Sequence, residues 1–89
     1  MAPQILINVN HKMRIIRQET FGPVMPIMLV ENDEDAIEMM NDCQYGLTAS
    51  IWTRDIEKGK KIANQIDTGT VYINRCDYLD PTLAWTGVK

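Results

Sequence analysis

With 89 residues, 45% of them apolar and 24% charged, the chain has room for one domain or less and an ordinary globular composition that speaks against disorder. Twelve acidic residues against nine basic ones give a net charge of −3 with no dense basic run, which argues against nucleic acid or an anionic membrane surface as a partner. No apolar stretch reaches the roughly 18 residues of a membrane span, and no basic start leads into a signal-like segment, so a cytoplasmic setting without a membrane partner is expected.

Gln4 to Val9 carries alternating, β-branched apolar residues and reads as a strand closed by Asn8, Asn10 and His11. Met13, Ile15 and Ile16 suggest a short turn or helical piece with Arg14 and Arg17 in solvent. The run from Val24 to Val30 is almost entirely apolar and predicts a strand buried on both faces, with Pro26 near its start or at an irregularity because it lacks an N–H. A helix capped by Asn32 or Asp33 follows. Asp33, Glu34 and Asp35 suit its positive N-terminal end, and Ala36, Ile37, Met39, Met40 and Cys43 form its apolar stripe. Tyr45-Gly46 turns the chain into a strand from Leu47 to Thr53. The next helix is capped by Thr53 or Asp55 and carries Ile56, Gly59, Ile62, Ala63 and Ile66 on one face, leaving Glu57, Lys58, Lys60 and Lys61 in water. Val71, Tyr72 and Ile73 make a last strand ending at Asn74. Strands alternating with helices through short connections predict an α/β fold, a mostly parallel sheet with crossover helices, whose ligand crevice lies beyond the carboxyl ends of the strands.

Between the first helical piece and the apolar run lies Glu19-Thr-Phe-Gly-Pro-Val24. Gly22-Pro23 signals a chain reversal, because glycine tolerates positive φ and proline fixes its own. A carboxylate at Glu19 and a ring at Phe21 are then held near the mouth of a strand, where one suits the diol of a ribose and the other a flat heterocycle. The plainer alternative has Glu19 solvating the turn and Phe21 filling the core. Cys43 and Cys76 have no partners at metal-ligand spacing and read as free thiols, and His11 has no companion for a nucleophile-base pair.

Three ordered blocks, Glu19 to Val24, Asn41 to Thr53 (NDCQYGLTASIWT) and Thr68 to Asn74 (TGTVYIN), resemble blocks of the NAD(P)-dependent aldehyde dehydrogenase superfamily. The resemblance spans essentially the whole chain and implies one partial domain, residues 1–89, from the late part of the catalytic domain, with no dinucleotide-binding domain of its own. The family oxidises an aldehyde to an acid through a thiohemiacetal on cysteine, hydride transfer to NAD(P)+, and thioester hydrolysis with a glutamate base. By that likeness Glu19 and Phe21 contact the cofactor, NAD or NADP. The family's nucleophile lies in a motif that neither Cys43 nor Cys76 matches, and its base motif and glycine-rich pyrophosphate turn have no match here, so no catalytic residue is assigned and the chain is expected to be inactive alone. The remainder of the dehydrogenase chain, a small-molecule aldehyde and further copies in a homo-oligomer are the implied partners.

From Arg75 to Lys89 the composition is that of a loop with large side chains, suited to binding or to covering a core edge. In aldehyde dehydrogenases this stretch returns past the catalytic pocket, which makes Arg75, Cys76, Leu79 and Trp85 candidates for the wall of the substrate tunnel. Ala84-Trp85-Thr86-Gly87 stands where many members have Pro-Phe-Gly-Gly, so the substrate class is left open. A cation at Arg75 suits a distal carboxylate or phosphate on the substrate, or else forms a surface salt bridge. Both ends read as cut relative to the family. The competing expectation is a stand-alone module or truncated paralogue acting through protein contacts, its last strand adding to another sheet edge.

Overall fold

The computed structural model describes residues 2–89, which fall into two compact units divided between Asn32 and Asp33. In the first, β1 (Gln4–Leu6) and β2 (Val24–Pro26) pair in parallel, with Gln4 opposite Val24 and Leu6 opposite Pro26, and a one-turn helix α1 (Arg14–Arg17) lies in the connection. Backbone bonds from Gln4 N to the Pro23 carbonyl (2.7 Å) and from Ile27 N to the Leu6 carbonyl (2.8 Å) extend the ladder at both ends. Both strands are shorter than their apolar runs. Asn8 takes φ 58° and bends the chain out of β1. β2 ends on Pro26, which fills the last position of the strand and not the first, and the chain leaves the sheet after the Ile27 bond to Leu6. The expected burial of the Val24 to Val30 run on both faces is not found: Leu29 is 91% exposed and Met25 also faces solvent. A two-stranded pair gives each strand one neighbour and leaves its other edge unpaired.

The second unit holds α2 (Asp33–Asn41), β3 (Thr48–Ile51), α3 (Ile56–Ala63) and β4 (Thr70–Ile73). β3 and β4 pair in parallel over four residues each, Thr48 opposite Thr70 through Ile51 opposite Ile73. The α/β class with parallel pairing and a crossover helix is therefore present, carried by two separate two-stranded sheets. α3 starts at Asp55, whose carboxylate accepts the Lys58 N–H (3.1 Å) while its own N–H donates to Thr53 Oγ1 (3.1 Å). Gly59 faces the sheet because a Cβ there would press on the Thr53 methyl at 2.9 Å and meet Ile73. Ile66 and Tyr72, each 7% exposed, are the buried hydrophobic residues of this packing.

Side chains tie the unit together across long sequence distances. Asn41 donates to the Gln65 carbonyl (2.7 Å) and accepts from Asp67 N (2.8 Å), fixing the end of α2 to the turn before β4. Lys58 pairs with Asp33 at 2.7 Å, and that hydrogen-bonded carboxylate raises the lysine's pKa above its ordinary value. The Gly46 carbonyl accepts from both Gly69 N (2.9 Å) and Val88 N (3.3 Å), and Lys89 Nζ reaches the Asn41 carbonyl at 2.7 Å, so the tail lies along the body of its own unit. Gly69 sits so close to the Thr86 carbonyl that no side chain fits between them. No helix among the described residues is long and apolar enough to cross a membrane.

Candidate functional site

Glu19 and Phe21 lie on one turn of the first unit. α1 stops at Gln18, whose backbone is extended (φ −105°, ψ 145°) and whose side-chain oxygen accepts from Arg14 Nε and Nη2, both at 3.3 Å. The chain then runs out through Glu19 and Thr20 and reverses, with Val24 N bonded to the Gly22 carbonyl at 2.8 Å. The bond from Gln4 N to the Pro23 carbonyl anchors the far side of that reversal to β1. Glu19 borders an open hollow of about 260 Å³ together with Arg14, Ile15, Gln18 and Thr20. Phe21 is 94% exposed, which overturns the alternative that it fills this unit's core.

Gly22 departs from the expectation that glycine is there for a left-handed backbone. No glycine among the described residues has positive φ, and a Cβ at Gly22 would meet nothing closer than the Thr20 methyl at 4.0 Å. The reversal uses an ordinary backbone, and Pro23 supplies its rigidity.

Arg75, Cys76, Leu79 and Trp85 share the loop that leaves β4. Asn74, at φ 57°, turns the chain there: its N–H donates to the Ile51 carbonyl (2.8 Å) and its side-chain oxygen accepts Thr53 N (2.8 Å), locking the carboxyl ends of β3 and β4 together. A short polar side chain that tolerates the left-handed region is what such a corner needs. Arg75 does not form the alternative surface salt bridge. Its guanidinium carbon sits 3.9 Å over the Tyr78 ring, a cation–π contact, and its charge reaches the Asp80 carboxylate through space without a direct bond. Tyr78 is braced twice. Its carbonyl accepts the hydroxyl of buried Tyr72 (3.0 Å), with the two rings 6.2 Å apart and tilted by 53°, and its own hydroxyl donates to Asp80 (3.2 Å). Asp80 also accepts from Thr82 N (2.9 Å) and Thr82 Oγ1 (2.7 Å); the Thr82 hydroxyl foremost holds its carboxyl below the usual range.

Cys76 is an exposed free thiol, and Cys43 is free and half-buried. Leu79 is 75% and Trp85 47% exposed, so both present apolar surface outward. Tyr78 and Asn74 were not picked out by sequence reasoning, although an asparagine closing a β-branched run is a recognisable corner signal. Trp52, exposed just beyond the end of β3, also went unmarked. Because β3 and β4 are parallel, Trp52 and Arg75 follow the carboxyl ends of adjacent strands, the edge at which open α/β sheets bind ligands.

A sequence model described as the aldehyde dehydrogenase family matches residues 1–89. The 4,4'-diapolycopene aldehyde oxidase of a Methylomonas species is 44% identical over 74 residues, 83% of this chain and 14% of that protein. Betaine aldehyde dehydrogenase of Bacillus subtilis is 39% identical over 87 residues, 98% of this chain and 18% of the relative. Among solved structures, a Mycobacterium tuberculosis aldehyde dehydrogenase complexed with NAD+ superposes with a TM-score of 0.91 at 45% identity, covering 96% of this chain and 17% of the other. The chain thus spans less than a fifth of the length of each of these proteins. With the family's sequence pattern running through all 89 residues and its backbone reproduced over nearly all of them, the chain belongs to the aldehyde dehydrogenase family.

Proposed function

We propose that these residues are one partial domain, from the late catalytic region, of an enzyme that oxidises an aldehyde to a carboxylic acid with NAD or NADP as hydride acceptor. The observation that carries the proposal is the exposed pair at one turn, with Glu19 beside an open hollow and Phe21 standing in solvent. Neither side chain is used to hold the first unit together. A carboxylate acceptor next to an unburied aromatic face matches a ribose diol joined to a flat base. Glu19 would accept hydrogen bonds from the ribose hydroxyls, and Phe21 would pack against the ring and keep water from one side of it. NAD(P), when bound, supplies the hydride acceptor.

The tail has the complementary task. Arg75, Cys76, Leu79 and Trp85 are offered as part of the substrate tunnel wall, supported by their exposure and by the position of the loop beyond the carboxyl ends of β3 and β4. The nucleophile and base come from elsewhere in the parent chain, so the 89 residues alone bind or position and do not turn over.

The test uses the full-length parent enzyme. Glu19→Gln and Phe21→Ala are each expected to raise KM for NAD(P)+ by about tenfold or more, the loss of a charge-assisted hydrogen bond or a stacked ring. Unchanged cofactor KM and kcat in both variants would remove the cofactor role of this turn, whereas no NAD(P)H formation from any aldehyde would favour a non-catalytic module acting through protein contacts.

A further inference from the structure

The guanidinium of Arg75 is held over an aromatic ring with no direct ion pair among the described residues, and Asp80 meets its charge only at longer range. Arginines near a surface usually meet a carboxylate, and two acidic residues, Asp77 and Asp80, follow within five positions. Asp80 instead directs one oxygen to the Tyr78 hydroxyl and the other to the backbone and hydroxyl of Thr82. Arg75 is left over the Tyr78 ring, and Tyr72, one of the most buried side chains of the unit, holds the Tyr78 backbone through its hydroxyl and meets the ring at a tilt. A guanidinium seated over a ring face keeps its N–H donors at the edge, where their fork matches the two oxygens of a carboxylate.

The loop begins at the corner made by Asn74, which fixes where Arg75 leaves β4. Apolar Leu79 and Trp85 are exposed on the same loop. A cation held on an aromatic platform, on a loop that also presents apolar surface, suits a ligand with an apolar middle and an anionic end.

We infer that Arg75, carried on Tyr78, is a specificity-determining residue that receives a distal carboxylate, so that the parent enzyme's preferred substrates are aldehydes with a carboxylate at the far end. The inference rests on the aldehyde dehydrogenase reading above and deepens it by naming the substrate class. A carboxylate is favoured over a phosphate because a single guanidinium fork satisfies the former, whereas a phosphate dianion would meet one cation with Asp77 and Asp80 near it in sequence.

The experiment compares three aldehydes of similar length in the full-length enzyme: 4-oxobutanoate, neutral butanal, and 4-(trimethylammonio)butanal. The expected order of kcat/KM is anion, then neutral, then cation. In Arg75→Gln the ratio of kcat/KM for anion over neutral should fall about tenfold, chiefly through KM, as for loss of a partly solvated charge-assisted bond. Arg75→Lys, which keeps the charge but not the fork, should retain part of the ratio, and Tyr78→Leu should lower it with Arg75 still present. Equal ratios in wild type and Arg75→Gln, with NAD(P)H formed from all three aldehydes, would overturn the carboxylate role and leave the dehydrogenase reading standing. NAD(P)H from none of a broad aldehyde panel would overturn the dehydrogenase reading and this inference with it.

Discussion

The two units are built from the same parts, a parallel strand pair joined through helix, yet they hold themselves together to different degrees. Up to Asn32 the strands have three residues each, the helix is a single turn, and Phe21 and Leu29 stand almost wholly in solvent. From Asp33 onward the strands have four residues, α3 packs on β4, and Asn41, Asn74 and Tyr72 bond segments that are far apart in sequence or would otherwise swing free. Side-chain bonds to distant backbone tie the second unit together from Asn41 to Lys89.

Amide exchange would break the comparison most directly. In the isolated 89-residue chain, amides of β3 and β4 should exchange at least about a hundredfold more slowly than those of β1 and β2, because local opening follows packing and bonding density. Equal protection in both pairs would show that the first unit is as self-supporting as the second.

Glycine substitutions sharpen it. Gly69→Ala drives a methyl into the Thr86 carbonyl and should destabilise the second unit by about 3 kcal/mol, whereas Gly22→Ala has open space and should be neutral or stabilising by roughly 0.5 kcal/mol. Denaturant melts of each variant check the pair, and equal effects would discard the distinction. A subtler contrast lies at the β4 corner. Asn74→Gly keeps the left-handed backbone but frees Thr53 N, costing about 1 kcal/mol, and Asn74→Ala adds a further ~1 kcal/mol of backbone strain. If alanine proved no worse than glycine, the corner's φ would not matter.

The smallest effect is electrostatic. The Asp80 carboxyl titrates lower when folded than when unfolded, so the unfolded chain takes up its proton first as pH falls. Its contribution is complete above the ordinary carboxylate value of 3.8 and fades as pH drops through the lower folded value. Asp80→Asn should flatten that part of the stability profile between neutral and acid pH, and an unchanged profile would mean the Thr82 bonds contribute nothing.

What could be read in advance follows the range of the forces involved. Helix and strand identities were legible because 3.6- and two-residue periods are local, as in the Ile56, Gly59, Ile62, Ala63 stripe and at Val71 to Ile73. Strand lengths were less so: Pro26 and Asn8 end the first pair inside runs that are apolar well beyond them. The division into two sheets was not visible, since pairing partners leave no mark in either strand alone. The turn at Glu19 and Phe21 was legible through its Gly-Pro dipeptide, although proline and not glycine carries it. Tyr78 under Arg75 was hidden because the ring's orientation depends on Tyr72 and Asp80, one in a strand and the other further along the loop.

The bond from Lys89 to the Asn41 carbonyl has a consequence for α2. That helix carries three carboxylates in its first turn and no basic residue in its last, so its electropositive end is compensated locally and its electronegative end is not. The missing cation arrives from 48 positions downstream, docked on a carbonyl at the helix terminus. The tail and the end of α2 thereby share a contact, and a change that loosens the loop from Arg75 onward takes that cation away from the helix end without touching any residue in it.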